Sequence, residues 1–159
     1  MSNQQDSNEQ SLFACDYAKS DIVILGAPFD GTVSYRPGTR FGPQAIRQEL
    51  YGLESYSPFL DRDLSDSRIG DIGDAEMPLG NTVGALTAIG EKAEAALADG
   101  KRIVSLGGEH LVSLPVIEAY AKRYSDLVVI QLDAHADLRE SFCGEKLSHA
   151  CVMRRTYDF

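Results

Sequence analysis

One short stretch constrains this chain more than any other: an apolar run that ends abruptly in charge. Leu127-Val128-Val129-Ile130-Gln131-Leu132 is rich in β-branched residues, and Asp133-Ala134-His135-Ala136-Asp137 comes directly after it without a break. A run of this length and kind predicts a buried strand. It is far too short to span a bilayer, and so is Ile22-Val23-Ile24-Leu25. The strand predicted over residues 127–132 is the strongest in the sequence.

The rest of the chain alternates around it. Residues 21–26 predict a second buried strand ending at Gly26, with a Gly/Pro-rich loop over 27–42 after it. Gly42-Pro43 opens a helix to about Leu53, with proline at its first position. Residues 54–67 form a polar loop, and 68–71 a short strand. Val83, Leu86, Ile89, Ala93, Ala96 and Leu97 recur at helical spacing between Asn81-Thr82 and Gly100. A strand over 101–106 and a helix over 110–124 come next. Pro115 is tolerable there only near the first turn. A short helix over 148–156 comes last. Strands alternating with helices predict an α/β fold with a mainly parallel sheet. Residues 1–20 read as a flexible tail and 21–159 as part of one domain.

In such sheets ligands bind beyond the carboxyl ends of the strands. The loops after Gly26, Leu106 and Leu132 are therefore expected to share one rim. All three histidines, His110, His135 and His149, fall on those loops or their flanks. If the chain stays extended past Leu132, alternate side chains point the same way, so Asp133, His135 and Asp137 line one side of the strand exit. Two carboxylates and an imidazole gathered there call for a positive charge between them. Gly107-Gly108-Glu109-His110 lets the backbone turn tightly and brings His110 to the same rim. Oxygen and imidazole ligands suit manganese or magnesium, and imidazole also admits zinc or iron. Carboxylates able to bridge suggest two ions, roughly 3.5–4 Å apart.

Composition narrows the partners. With 159 residues, 43% of them apolar, there is material for one globular domain. The net charge of −9 and the lack of a Lys/Arg block argue against nucleic acid. No membrane partner is expected either. Cys15, Cys143 and Cys151 form an odd set without Cys-x-x-Cys, which reads as three free thiols in a reducing, cytoplasmic setting. The residues Met1 to Gln10 lack Lys and Arg and read as neither secretory signal nor transit peptide.

Gly-Gly-Glu-His at 107–110 and Asp-Ala-His-Ala-Asp at 133–137 resemble the first two signature motifs of the ureohydrolases, the arginase and agmatinase family. Pro28-Phe29-Asp30-Gly31, the run from Tyr35 to Pro43, Gly70-Asp71-Ile72-Gly73-Asp74, and Leu138-Arg139 leading to Ser148-His149-Ala150 resemble agmatinases in particular. The resemblance runs from about Asp21 to the end of the chain and implies a three-layer arginase-like fold. It implies two manganese ions, one held by His110, Asp133 and Asp137, the other by His135 with Asp133 bridging. It implies hydrolysis of agmatine to putrescine and urea by a metal-bound hydroxide attacking the guanidinium carbon. It also implies proton transfer to the leaving amine by His149, and a trimer or hexamer. The loop after Asp137 lacks the Asn-rich run expected of an arginase, which fits a decarboxylated substrate. Arg139 is the candidate substrate-binding residue there, either meeting a carboxylate or pairing locally with Glu140 or Glu145.

The family's third metal motif, Ser-x-Asp-x-Asp-x-x-Asp-Pro, has no match. Asp61-Arg62-Asp63 has Asp-x-Asp spacing but lies in a polar loop. The chain therefore reads as the front part of the fold. It is expected to expose an apolar sheet edge, bind metal weakly and hydrolyse little by itself. The alternatives are a guanidinobutyrase, an arginase, a formimidoylglutamase, or a non-catalytic fragment associating with a longer enzyme.

Overall fold

A β-branched run flanked by turn residues opens the sheet. In the computed structural model, which describes residues 12–159, β1 (Ile22–Ala27) is the central strand. Val23, Ile24, Leu25 and Ala27 are all buried, as a strand covered on both faces requires. The first part of the expected tail, residues 1–11, lies outside the described residues. Residues 12–20 run beside the sheet: Cys15 N–H donates to the Ile69 carbonyl at 3.1 Å, and Tyr17 O–H donates to Asp99 at 2.6 Å.

After β1 the chain forms α1 (Gly42–Glu49), with Pro43 in its first turn as predicted. Two strands of two residues each, β2 (Tyr56–Ser57) and β3 (Arg62–Asp63), make a small antiparallel hairpin inside the predicted polar loop. Next comes β4 (Ile69–Asp74), longer than the predicted 68–71. The long α2 (Thr82–Ala98) is capped by Asn81, whose side chain accepts from Gly84 N–H at 2.9 Å. It stops at Gly100, where φ is 74°. The chain continues through β5 (Arg102–Gly107) and α3 (Ser113–Arg123), with Pro115 in the first turn. The last helix, α4 (Val152–Tyr157), begins after a 3₁₀ turn over His149–Cys151, later than the predicted start at 148.

The strands β4, β1 and β5 lie in that order, and both pairings are parallel. Leu25 and Ala27 join Ile89, Ala93, Leu97, Leu111, Leu114 and Val152 in one buried apolar cluster. Helices α2 and α3 pack on each other and contribute half of its buried side chains. From α1, Arg47 reaches β4, donating to Asp71 at 2.6 and 2.9 Å and to Asp74 at 2.5 Å. No helix among the described residues is long and apolar enough to cross a membrane.

One prediction is overturned. Residues 127–132 form no strand. Among the described residues no strand pairs with them, and Ile130 is 81% and Leu132 95% exposed. The reason is that apolar character makes a segment suited to burial, whereas strand structure needs a hydrogen-bonded partner alongside. The sheet ends at β5, and none of its ladders reaches this run.

Candidate metal centre

The rim at the strand exits is built by backbone. Past β1, the Ala27 carbonyl accepts from Phe29 N–H at 2.8 Å and from Gly108 N–H at 3.2 Å, and Glu109 N–H donates to the Phe29 carbonyl at 2.8 Å. The two exits touch so closely that a Cβ on Gly108 would sit 2.0 Å from the Phe29 oxygen. Glycine is required here by that close approach, where any side chain would obstruct the turn, and not by a positive φ. The Glu109 carboxylate, buried, then accepts from Leu111 N–H at 2.8 Å and starts the 3₁₀ turn that carries His110.

His110 Nδ1 stands 2.7 Å from Asp137 Oδ2 and 3.2 Å from Asp133 Oδ2. These ligand atoms all lie within 4.8 Å of one another, a spacing that could hold a metal ion. The donor set is one imidazole and two carboxylates with no thiolate, which suits manganese or another oxygen-seeking divalent ion. The sequence thus identified the three residues that the fold brings together.

Their local geometry differs from the expected extended chain. His135 N–H turns back to donate to Asp133 Oδ1 at 2.8 Å. That bond is the main cause holding the Asp133 carboxyl below the ordinary aspartate range, aided by Gln131, His110 and His135. Asp137 has a left-handed backbone, φ 50°, and its carbonyl accepts from Met153 and Arg154 N–H at 3.1 and 3.2 Å. The turn brings positions 133 and 137 to His110. The His135 side chain is left 82% exposed, with Nδ1 3.7 Å from Asp133 Oδ1 and outside the triplet. Asp61 and Asp63 are engaged elsewhere, accepting from Tyr56 O–H and Ser65 respectively.

Beside the triplet is an open pocket of about 580 Å³, lined by Ser34, His135, Asp137, Arg139, Phe142 and His149 among others. His149 Nδ1 is 2.9 Å from the Thr32 carbonyl, and its backbone N–H donates to Thr32 Oγ1 at 3.1 Å. The imidazole meets Phe142 edge-on, centroids 5.4 Å apart. Arg139 does not form the expected pair with Glu140 or Glu145. Its guanidinium lies over the Phe142 ring at 5.4 Å, while Glu140 pairs with Lys146, Arg154 and Arg155. Sequence reasoning missed Thr32 and assigned no role to Glu109, although Glu109 lies inside the motif that carries His110. Thr32 directly follows the Pro28-Phe29-Asp30-Gly31 motif, the one signal in the sequence that lies near it.

The family model described as Arginase family matches residues 20–159. The agmatinase of Bacillus anthracis is 51% identical over 142 residues, which cover 89% of this chain and 49% of that protein. Among solved structures, agmatine ureohydrolase of Thermoplasma volcanium superposes with a TM-score of 0.85 at 34% identity, over 93% of this chain and 49% of that one. Trypanosoma cruzi formiminoglutamase, solved with Mn2+, gives a TM-score of 0.83 at 27% identity, over 94% of this chain and 51% of that one. The chain belongs to the arginase family and has its fold, with a mainly parallel sheet and helices. It spans about half the length of the curated relatives it matches.

Proposed function

We propose that residues 21–159 are the N-terminal part of a single ureohydrolase domain that hydrolyses agmatine to putrescine and urea. The observation that carries this reading is the convergence of His110 Nδ1 with the carboxylates of Asp133 and Asp137, in a chain about half identical to an agmatinase.

In this reading His110, Asp133 and Asp137 would hold one manganese ion, and His135 and Asp133 would serve a second. When bound, such ions supply a Lewis acid and make water nucleophilic near neutral pH, suited to attack on a guanidinium carbon. The chain's own residues do the rest. The His135 N–H, donating to Asp133 Oδ1 at 2.8 Å, favours the anionic form of that carboxyl. His149, in the wall of the pocket, carries a proton to the leaving amine.

One observation favours a second substrate. Arg139 lines the same pocket and would repel the distal ammonium of agmatine but attract a carboxylate. A guanidino acid such as guanidinobutyrate is the competing reading.

Titrating Mn2+ into the protein, monitored by electron paramagnetic resonance, tests the site. Asp137→Asn should weaken binding by about tenfold or more; equal binding by variant and parent would remove the proposed ligand set. Urea release from agmatine and from guanidinobutyrate, measured on the gene product as cells make it, then separates the two substrates.

A further inference from the structure

We infer that Thr32 is a positioning residue for His149, holding its imidazole as the Nδ1–H tautomer with Nε2 free toward the pocket. The inference rests on the reading of His149 as the proton carrier, but its geometry stands by itself.

Two separate groups of Thr32 hold His149. The Thr32 carbonyl lies 2.9 Å from Nδ1, and its hydroxyl oxygen receives the His149 backbone N–H at 3.1 Å. A carbonyl only accepts, so Nδ1 must carry the proton when the ring is neutral. The lone pair of a neutral ring then falls on Nε2, which has no hydrogen-bond partner among the described residues. Phe142, edge-on at 5.4 Å, limits rotation of the ring.

Thr32 is itself fixed from behind. Its single hydroxyl proton is donated to Glu109 Oε1, so the oxygen keeps lone pairs for the His149 N–H. Glu109 is buried, and its other oxygen accepts from Leu111 N–H at 2.8 Å. The residue preceding a candidate metal ligand therefore sets, through Thr32, the direction of a histidine 117 positions away from Thr32. Removing the hydroxyl leaves a buried carboxylate oxygen and a backbone N–H without partners, and the loop carrying the Thr32 carbonyl loses its support.

The test is ¹⁵N NMR of the His149 ring at a pH where it is neutral, in the parent, Thr32→Ser and Thr32→Val. The parent and Thr32→Ser should show a protonated Nδ1 and a pyridine-like Nε2. Thr32→Val should shift toward the Nε2–H form that free imidazole side chains favour in water. A dominant Nε2–H tautomer in the parent overturns the inference, and so does a Thr32→Val spectrum matching the parent. Should Thr32→Val fail to fold, the parent and Thr32→Ser spectra decide between the same outcomes. In the active form of the protein, Thr32→Val should lower kcat about 10- to 100-fold, a share of what acid–base catalysis contributes, with KM nearly unchanged and activity restored by Thr32→Ser. If the hydrolase reading fails, no variant has urea release to lose, yet the tautomer is still measured.

Discussion

Two stretches of this molecule look alike in sequence and end up in opposite states. Residues 22–25 and 127–130 are both β-branched apolar runs. The first is the centre of a parallel sheet, paired on both sides, with Ile24 only 2% exposed. The second pairs with no strand among the described residues and leaves Ile130 81% exposed. The difference lies in what stands alongside. A ladder on each side and a helix pair over one face turn an apolar pattern into buried structure. Without them the same pattern stays an exposed apolar edge, open to association.

The sheet side should break hardest where its strand exits touch. Gly108→Ala puts a methyl against the Phe29 backbone oxygen, which cannot yield as a side chain would. A loss of about 3 kcal/mol or more is expected in urea denaturation; a variant as stable as the parent would show that the exits can separate freely. The two isoleucines give a direct comparison. Ile24→Ala should cost about 2–4 kcal/mol as a core deletion, and Ile130→Ala less than about 0.5 kcal/mol. Equal losses would mean that the second run is buried in solution.

The smallest effect lies beyond the exposed run, at Glu140. This carboxylate pairs with Lys146, Arg154 and Arg155, and Arg155 is the main cause of its lowered pKa. A depressed folded pKa gives stability that is fully present above the ordinary glutamate value of about 4.3. It is lost as pH falls through the lower folded value. Glu140→Gln should therefore flatten the acid limb of the melting-temperature profile, with a small loss near neutrality that vanishes at acid pH. An unchanged acid limb would show that the exposed pairs contribute nothing measurable.

Much of this architecture was legible because local chemistry decides it. Gly42-Pro43 starts α1, Asn81 caps α2, Gly100 ends it, and the run at 22–25 needs only its own composition to be recognised as a strand. The hairpin of β2 and β3 was not legible, since two-residue strands leave no period in a polar stretch. The path beyond Leu132 was misjudged for a different reason. Alternation gathers Asp133, His135 and Asp137 only if the chain stays extended. A side-chain turn at Asp133 and a left-handed Asp137 replace that with a bend. His110, Asp133 and Asp137 still meet, since several bends can converge on one imidazole. Thr32 stayed hidden, because its importance comes from partners 77 and 117 positions away.

The carbonyl of Asp137 has a consequence of its own. One residue offers its carboxylate to the metal triplet and its main-chain oxygen to the first N–H groups of α4. The candidate centre and the last helix thereby share one residue. An ion that binds only the folded arrangement stabilises that arrangement by mass action. Where an ion binds this arrangement, its concentration would bear on the ordering of α4 as well as on chemistry at the rim.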